Sequence, residues 1–209
     1  MMRSLFALPL LVACTSASAP DASYNSVRER LASSPTQLLA QPAASSGSIS
    51  ATRYGVDGWH PGTAAFSIAN GEIVATVDGA GAFEMRTLDA SVDPIEIPPD
   101  VFGKPARLQD LRMQLASRPT AMTAWADADD ATVTATIDLD VSWSIAIADT
   151  VLPLSTQHLR ALPVELSITG GGDHVDAIVS LHASGELWNW AGLVKLTDLE
   201  VTLDTATVD

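Results

Sequence analysis

Val133–Ile147, VTATIDLDVSWSIAI, decides the fold class. Its odd positions are all apolar: Val133, Ala135, Ile137, Leu139, Val141, Trp143, Ile145 and Ile147. Its even positions are Thr134, Thr136, Asp138, Asp140, Ser142 and Ser144, with Ala146 near the end. A period of two sends one set of side chains into a core and the other into water, as in a half-buried strand of an antiparallel sheet. Fifteen residues at about 3.3 Å each would span roughly 50 Å, well beyond an ordinary strand. The strand is therefore expected to be long and curved, or broken once by a bend.

The same period recurs on both sides. Val164, Leu166 and Ile168 lead into Gly170-Gly171-Gly172-Asp173, and the pattern returns through Val175, Ala177, Val179, Leu181 and Ala183. Glycines supply the positive φ that a tight turn needs, so this reads as a hairpin. Asn70-Gly71, between Phe66/Ile68 and Ile73/Ala75/Val77, reads as another. Further strands are expected over Ala82–Leu88, Val92–Ile97, Leu108–Leu115 and Leu199–Leu203. Pro98-Pro99 and Pro105 bracket a loop, and Pro153 to Pro163 a connection with room for one helical turn. Leu108–Leu115 and Leu196–Leu203 share the form L-x-D-L-x-[MV]-x-L. Convergence of strand patterns and descent from two related halves both account for it.

Near the start the period is different. Tyr24, Val27 and Leu31 lie on one face at helical spacing within a briefly helical segment, residues 23 to 40. Ser26 and Glu29 have the spacing of a capping box, and Ser34 before Pro35 ends or breaks the helix. Gln41 to Ala51 is of low complexity and reads as a linker. The fold class expected is mainly β: an antiparallel sheet of long strands forming a sandwich or open barrel, with one short N-terminal helix.

The first residues, MMRSLFALPLLVACTSASAP, place Arg3 before an apolar run from Leu5 to Val12. That run is too short to span a bilayer and has the build of a secretory signal. Leu11-Val12-Ala13-Cys14 resembles the lipobox of bacterial lipoproteins. The resemblance implies cleavage before Cys14, acylation of that cysteine with fatty chains such as palmitate, and a membrane anchor. Cys14 is the only cysteine, so it can form no internal disulfide. A plain secreted protein with an incidental cysteine is the alternative, but Pro20 after Ala17-Ser18-Ala19 disfavours ordinary cleavage there. Two or more acyl chains hold a protein stably where one holds it marginally. By the same resemblance, Thr15 rather than Asp after the cysteine implies the outer membrane of a Gram-negative cell envelope. The chain then divides into a signal peptide (1–13), a lipidated tether (14–22), a short helix with linker (23–51) and a β-rich domain (52–209).

The formal net charge is −14, and loss of Arg3 with the signal would make it −15. An acidic chain with only Lys104 and Lys195 as lysines is a poor partner for nucleic acid or for an anionic membrane surface. No G-x-S-x-G, H-E-x-x-H or P-loop occurs, no cofactor is expected, and the one cysteine is committed to lipid. His174, Asp176, His182 and Glu186 share parity, yet His174 and His182 would lie about 26 Å apart along a straight strand, too far for one ion. No metal site is read there, nor at the acidic turn Asp127-x-Asp129-Asp130, which lacks the spacing of a calcium loop. Asp138 and Asp140 read as a solvated face. Trp143 on the apolar face, and Trp188 and Trp190 after Gly185, are the candidate contacts for a hydrophobic ligand.

A helix followed by long strands, with the L-x-D-L-x-[MV]-x-L strands, faintly resembles the tubular lipid-binding and related envelope domains over residues 23 to 204. Three functions remain open. One is a non-enzymatic, membrane-anchored protein that binds or shields lipid or another hydrophobic ligand. The second is an envelope scaffold with a filled core and partners unspecified. The third is a hydrolase or metal enzyme assembled from distant strands. A cavity lined by Val133–Ile147 favours the first, and convergence of His158, His174 or His182 with carboxylates the third.

Overall fold

The computed structural model describes residues 24–55, 57–97, 99, 103–190 and 194–208. The expected signal peptide, Cys14 and the tether lie outside them. The chain forms α1 (Val27–Ser33) and the strands β1 (Thr36–Ala40), β2 (Ser46–Gly55), β3 (Gly58–Val77), β4 (Ala82–Val92), β5 (Ile95–Ile97) and β6 (Ala106–Leu115). There follow β7 (Thr120–Trp125), β8 (Ala131–Ile147), β9 (Thr150–Pro153), β10 (Gln157–Gly170), β11 (Val175–Trp190) and β12 (Val194–Ala206). All twelve strands belong to one sheet, and the protein is mainly β with one short helix.

The pairings close that sheet into a ring. Four positions in it are held by two strands laid end to end. β1 and β2 together fill the gap between β12 and β3. β4 and β5 lie along β6, while β6 and β7 share the gap between β4 and β8. β9 and β10 share the far edge of β8. With β3, β8, β11 and β12 undivided, twelve strands occupy eight positions, each antiparallel to the next in chain order. β12 then pairs back to β1 and β2. The two layers of a sandwich would thus be joined at both edges by hydrogen-bonded strands. Eight positions leave an interior that side chains can fill or that holds one small ligand.

β8 runs as one strand of 17 residues, and Ile137, Leu139 and Val141 are buried on its inner face. Where the inward spacing is three instead of two, the strand bulges. Leu108 and Leu111 flank a break in register between Gln109 and Arg112, with Asp110 at φ 56°. Leu159 and Leu162 flank another, with Ala161 at φ 51°. Leu196 and Leu199 flank a third. An extra residue in one strand restores inward parity after the bulge. The shared form L-x-D-L-x-[MV]-x-L is the sequence of one such bulge, in β6 and again in β12.

Four local expectations need correction. Asn70-Gly71 is not a turn. It lies within β3, paired with Ser91 and Ala90 of β4, and neither residue is among those with positive φ, which the two-residue turn requires. Gly71 answers a packing need instead: a Cβ there would come within 2.9 Å of the Ala40 methyl and 3.0 Å of Leu203 Cδ1. The turn comes at Asp78–Gly81, where Asp78 Oδ1 accepts from the amides of Ala80 and Ala82, at 2.9 and 2.8 Å. Residues 41–51 are not all linker: Ser46 onward is β2, with Ser46, Ser48 and Ser50 alternating with Gly47, Ile49 and Ala51. The helix ends at Ser34, extended before Pro35, as the sequence implied, but the rest of the segment to residue 40 is strand, β1 beginning at Thr36. No helical turn fills residues 153–163, where β9 passes into β10.

α1 closes one end of the ring. Ser26 Oγ accepts from the Glu29 amide at 3.2 Å, and the Glu29 carboxylate reaches back to the Asn25 amide at 2.8 Å, one residue short of the full box. Asp129 of the acidic turn accepts the Val27 amide at 2.9 Å, and the Arg28 amide donates to the Ala128 carbonyl at 3.1 Å. Thr76 Oγ1 donates to the Leu31 carbonyl at 2.9 Å. Val27 and Leu31 are thereby pressed into the core.

Candidate functional site

The inward positions of the ring form one apolar cluster, buried along most of the barrel. On β11, Val175 near α1 is 0% exposed and Leu181, further along, 5%. On β8 the value rises from 1% at Ala131 to 6% at Trp143; on β3, which runs the other way, Ile73 is 0% and Phe66 7%. All of these positions are buried, and α1 packs across one end of the ring.

At the other end the β2–β3 hairpin carries small inward residues. Ala51, Gly62 and Ala64 are half-buried, and Ala51 faces Gly62 across the pair. Beyond them Arg53 stands directly opposite His60. Both share inward parity with Ile49 and Phe66 and both are half-buried. Asp57, exposed in the turn, lies with Oδ1 2.7 Å from His60 Nε2. That hydrogen bond, with lesser help from the turn's own backbone and from the charges of His60 and Arg53, holds its carboxyl below the usual range. The outer face of the same hairpin bears Tyr54 and Trp59, edge to face with centroids 5.2 Å apart. Lys195 Nζ is 5.2 Å from the Trp59 centroid and 2.6 Å from Glu186 Oε2.

Trp143 is inward and buried, in the upper half of β8. Trp188 and Trp190 come after a break in the β11 register between Ser184 and Trp188. In the ladder His182 stands opposite Glu200, Trp188 opposite Leu196 and Trp190 opposite Val194. The side chains of Trp188 and Trp190 lie outside the described residues. Cys14 lies outside the described residues.

The four histidines each meet an aspartate, at four separate places. The pairs are His60–Asp57 at 2.7 Å, His158–Asp140 at 2.6 Å, His174–Asp176 at 3.0 Å and His182–Asp198 at 3.1 Å. Among the described residues no group of three or more His, Cys, Asp or Glu could hold a metal. Asp138 has a structural task. Its carboxylate accepts from the Ala161 amide and from Arg160 Nη1, both at 2.9 Å, and pins the β10 bulge. Those bonds, the backbone one first, lower its titration.

Sequence reasoning passed over Arg53 and His60. The signal that could have found them is parity: read with period two from Ile49 and Phe66, both fall inward. No protein-family model and no curated protein matches the chain. No helix among the described residues is long and apolar enough to cross a membrane.

Proposed function

We propose that this is a membrane-anchored envelope lipoprotein, tethered through Cys14, whose barrel binds or shields a hydrophobic ligand such as lipid. The observation that carries the reading is a ring of strands closed around a continuous apolar inner face, with α1 across one end. A closed, apolar-lined barrel of eight positions suits one acyl-type chain. Trp143, inward on β8, is a wall of this site, and Trp188 and Trp190 are its further candidate contacts. A tether keeps such a carrier beside its source of lipid.

The test is native mass spectrometry of the full-length chain with Cys14→Ser, followed by organic extraction. Lipid at fixed stoichiometry, reduced by Trp143→Asp in a protein that still folds, supports the reading. A clean apo mass with no uptake of offered lipid leaves the second reading, an envelope scaffold, which the burial of the inward side chains favours. Labelled palmitate should enter the wild type and not Cys14→Ser; equal labelling of both would refute the anchor.

A further inference from the structure

The inward register of the barrel is apolar or uncharged nearly throughout. Val, Leu, Ile, Ala, Met, Phe, Trp, Gly and Thr fill it from the floor upward. Among the described ladder residues, Arg53 and His60 are the ionisable side chains at inward positions, and they are neighbours across β2 and β3 at the mouth. Ionisable groups on the inner surface of an apolar barrel need compensating partners; the Asp57 carboxylate lies beside this pair, at the end where a ligand's polar group would emerge.

Gly55 shows how closely they converge. A Cβ built there would lie 2.9 Å from Asp57 Oδ1 and 3.3 Å from both Arg53 Nη2 and His60 Nε2. Three polar groups thus surround a space one carbon wide, kept clear by a glycine. On the other side of the turn, nothing lies within 4 Å of a Cβ at Gly58. Arg53 brings a permanent positive charge with donors suited to a two-oxygen anion. The Asp57 carboxylate orients His60 and, being exposed, is free to turn toward solvent when another anion arrives.

We propose that Arg53 and His60 form a head-group site, and that the ligand is a single-chain amphiphile whose tail fills the interior and whose anionic end, a carboxylate or phosphate, docks at the mouth. This rests on the hydrophobic-carrier reading above. The shared chemistry is one oxyanion on one alkyl chain; a free fatty acid and a monoalkyl phosphate are its two sources.

Calorimetry at neutral pH on the full-length chain with Cys14→Ser, using dodecanoate, dodecyl phosphate and dodecanol, tests it. A hydrogen bond to a charged group is worth about a tenfold change in affinity. Dodecanoate or dodecyl phosphate should therefore bind about tenfold more tightly than dodecanol, and whichever is tighter identifies the source. Arg53→Gln should erase that advantage and leave dodecanol affinity unchanged, and Arg53→Lys should restore part of it. Gly55→Ala, which fills the cradle, should weaken the anions alone. Equal binding of all three ligands, unaffected by Arg53→Gln, overturns the head-group site while the carrier reading stands. Failure of all three to bind overturns both. Loss of dodecanol binding in Arg53→Gln would make Arg53 a structural residue and also overturn the site.

Discussion

Asp138 and Asp89 are outward residues that hold strands together through charge. Asp138 fixes the β10 bulge, and Asp89 of β4 receives Arg112 Nε at 2.7 Å and Gln114 Nε2 at 3.0 Å from β6. Both carboxyls titrate below the usual range: Asp138 chiefly through the Ala161 amide, Asp89 chiefly through Arg112. A group with a lowered folded pKa stabilises the fold above its unfolded value, about 3.9 for Asp, and that stability is lost as pH falls through the folded value. The melting temperature should accordingly drop on acidification below about pH 4, and D89N/D138N should start lower at neutral pH but lose less on acidification. Parallel pH profiles for variant and wild type would discard this account. Gly47 is the steric counterpart: it faces Phe66 across β2 and β3, and a Cβ there would overlap the Phe66 ring and the Glu200 carbonyl. Gly47→Ala should cost about 1–3 kcal/mol in urea unfolding, as overpacked cores do.

At the scale of elements, legibility followed the size of the inward side chain. β8, β10 and β11 present Val, Leu and Ile against Thr, Asp and Ser, so their alternation is loud, and the 170–173 hairpin was readable with them. β2 has the same period, but its inward residues Gly47 and Ala51 are as small as the serines between them. Composition hid the strand, and with it Arg53. Asn70-Gly71 misled in the opposite sense, because turn chemistry is a local signal and β3 runs on through it, paired with β4 after a break in register beside Ile68. The bulges were legible as spacings of three between inward leucines, though only the pairing gives them that meaning. α1 is a short helix that packing must sustain, since seven residues are too few to be stable alone. Leu31→Ala removes its largest buried contact and should cost about 2–5 kcal/mol. If the floor seals the interior, the same variant should also quicken uptake of a hydrophobic probe; unchanged stability and uptake together would mean that α1 is ornamental.

Ring closure is the property no single strand reveals, and it rests on one seam. β2 must reach across to β12, Ser48 opposite Glu200 and Ile49 opposite Leu199, although its sequence reads as linker. Every other neighbouring pair is consecutive along the ring, so without this seam and the short β1–β12 pairing beside it the sheet would be an open meander with two bare edges, each a template for aggregation. With it, the interior is walled on all sides, which a lipid-sized chain requires. Amide hydrogen exchange distinguishes the two. In a closed barrel the β2 amides from Ser48 to Thr52 should be protected to the same order as their partners on β12 and as those of β8, because they open only with the sheet as a whole. Fast exchange confined to β2, with β8 still protected, would mean that the ring stands open. The hydrophobic-carrier reading and the mouth at Arg53 and His60 would then fall together, since both depend on the wall that β2 supplies.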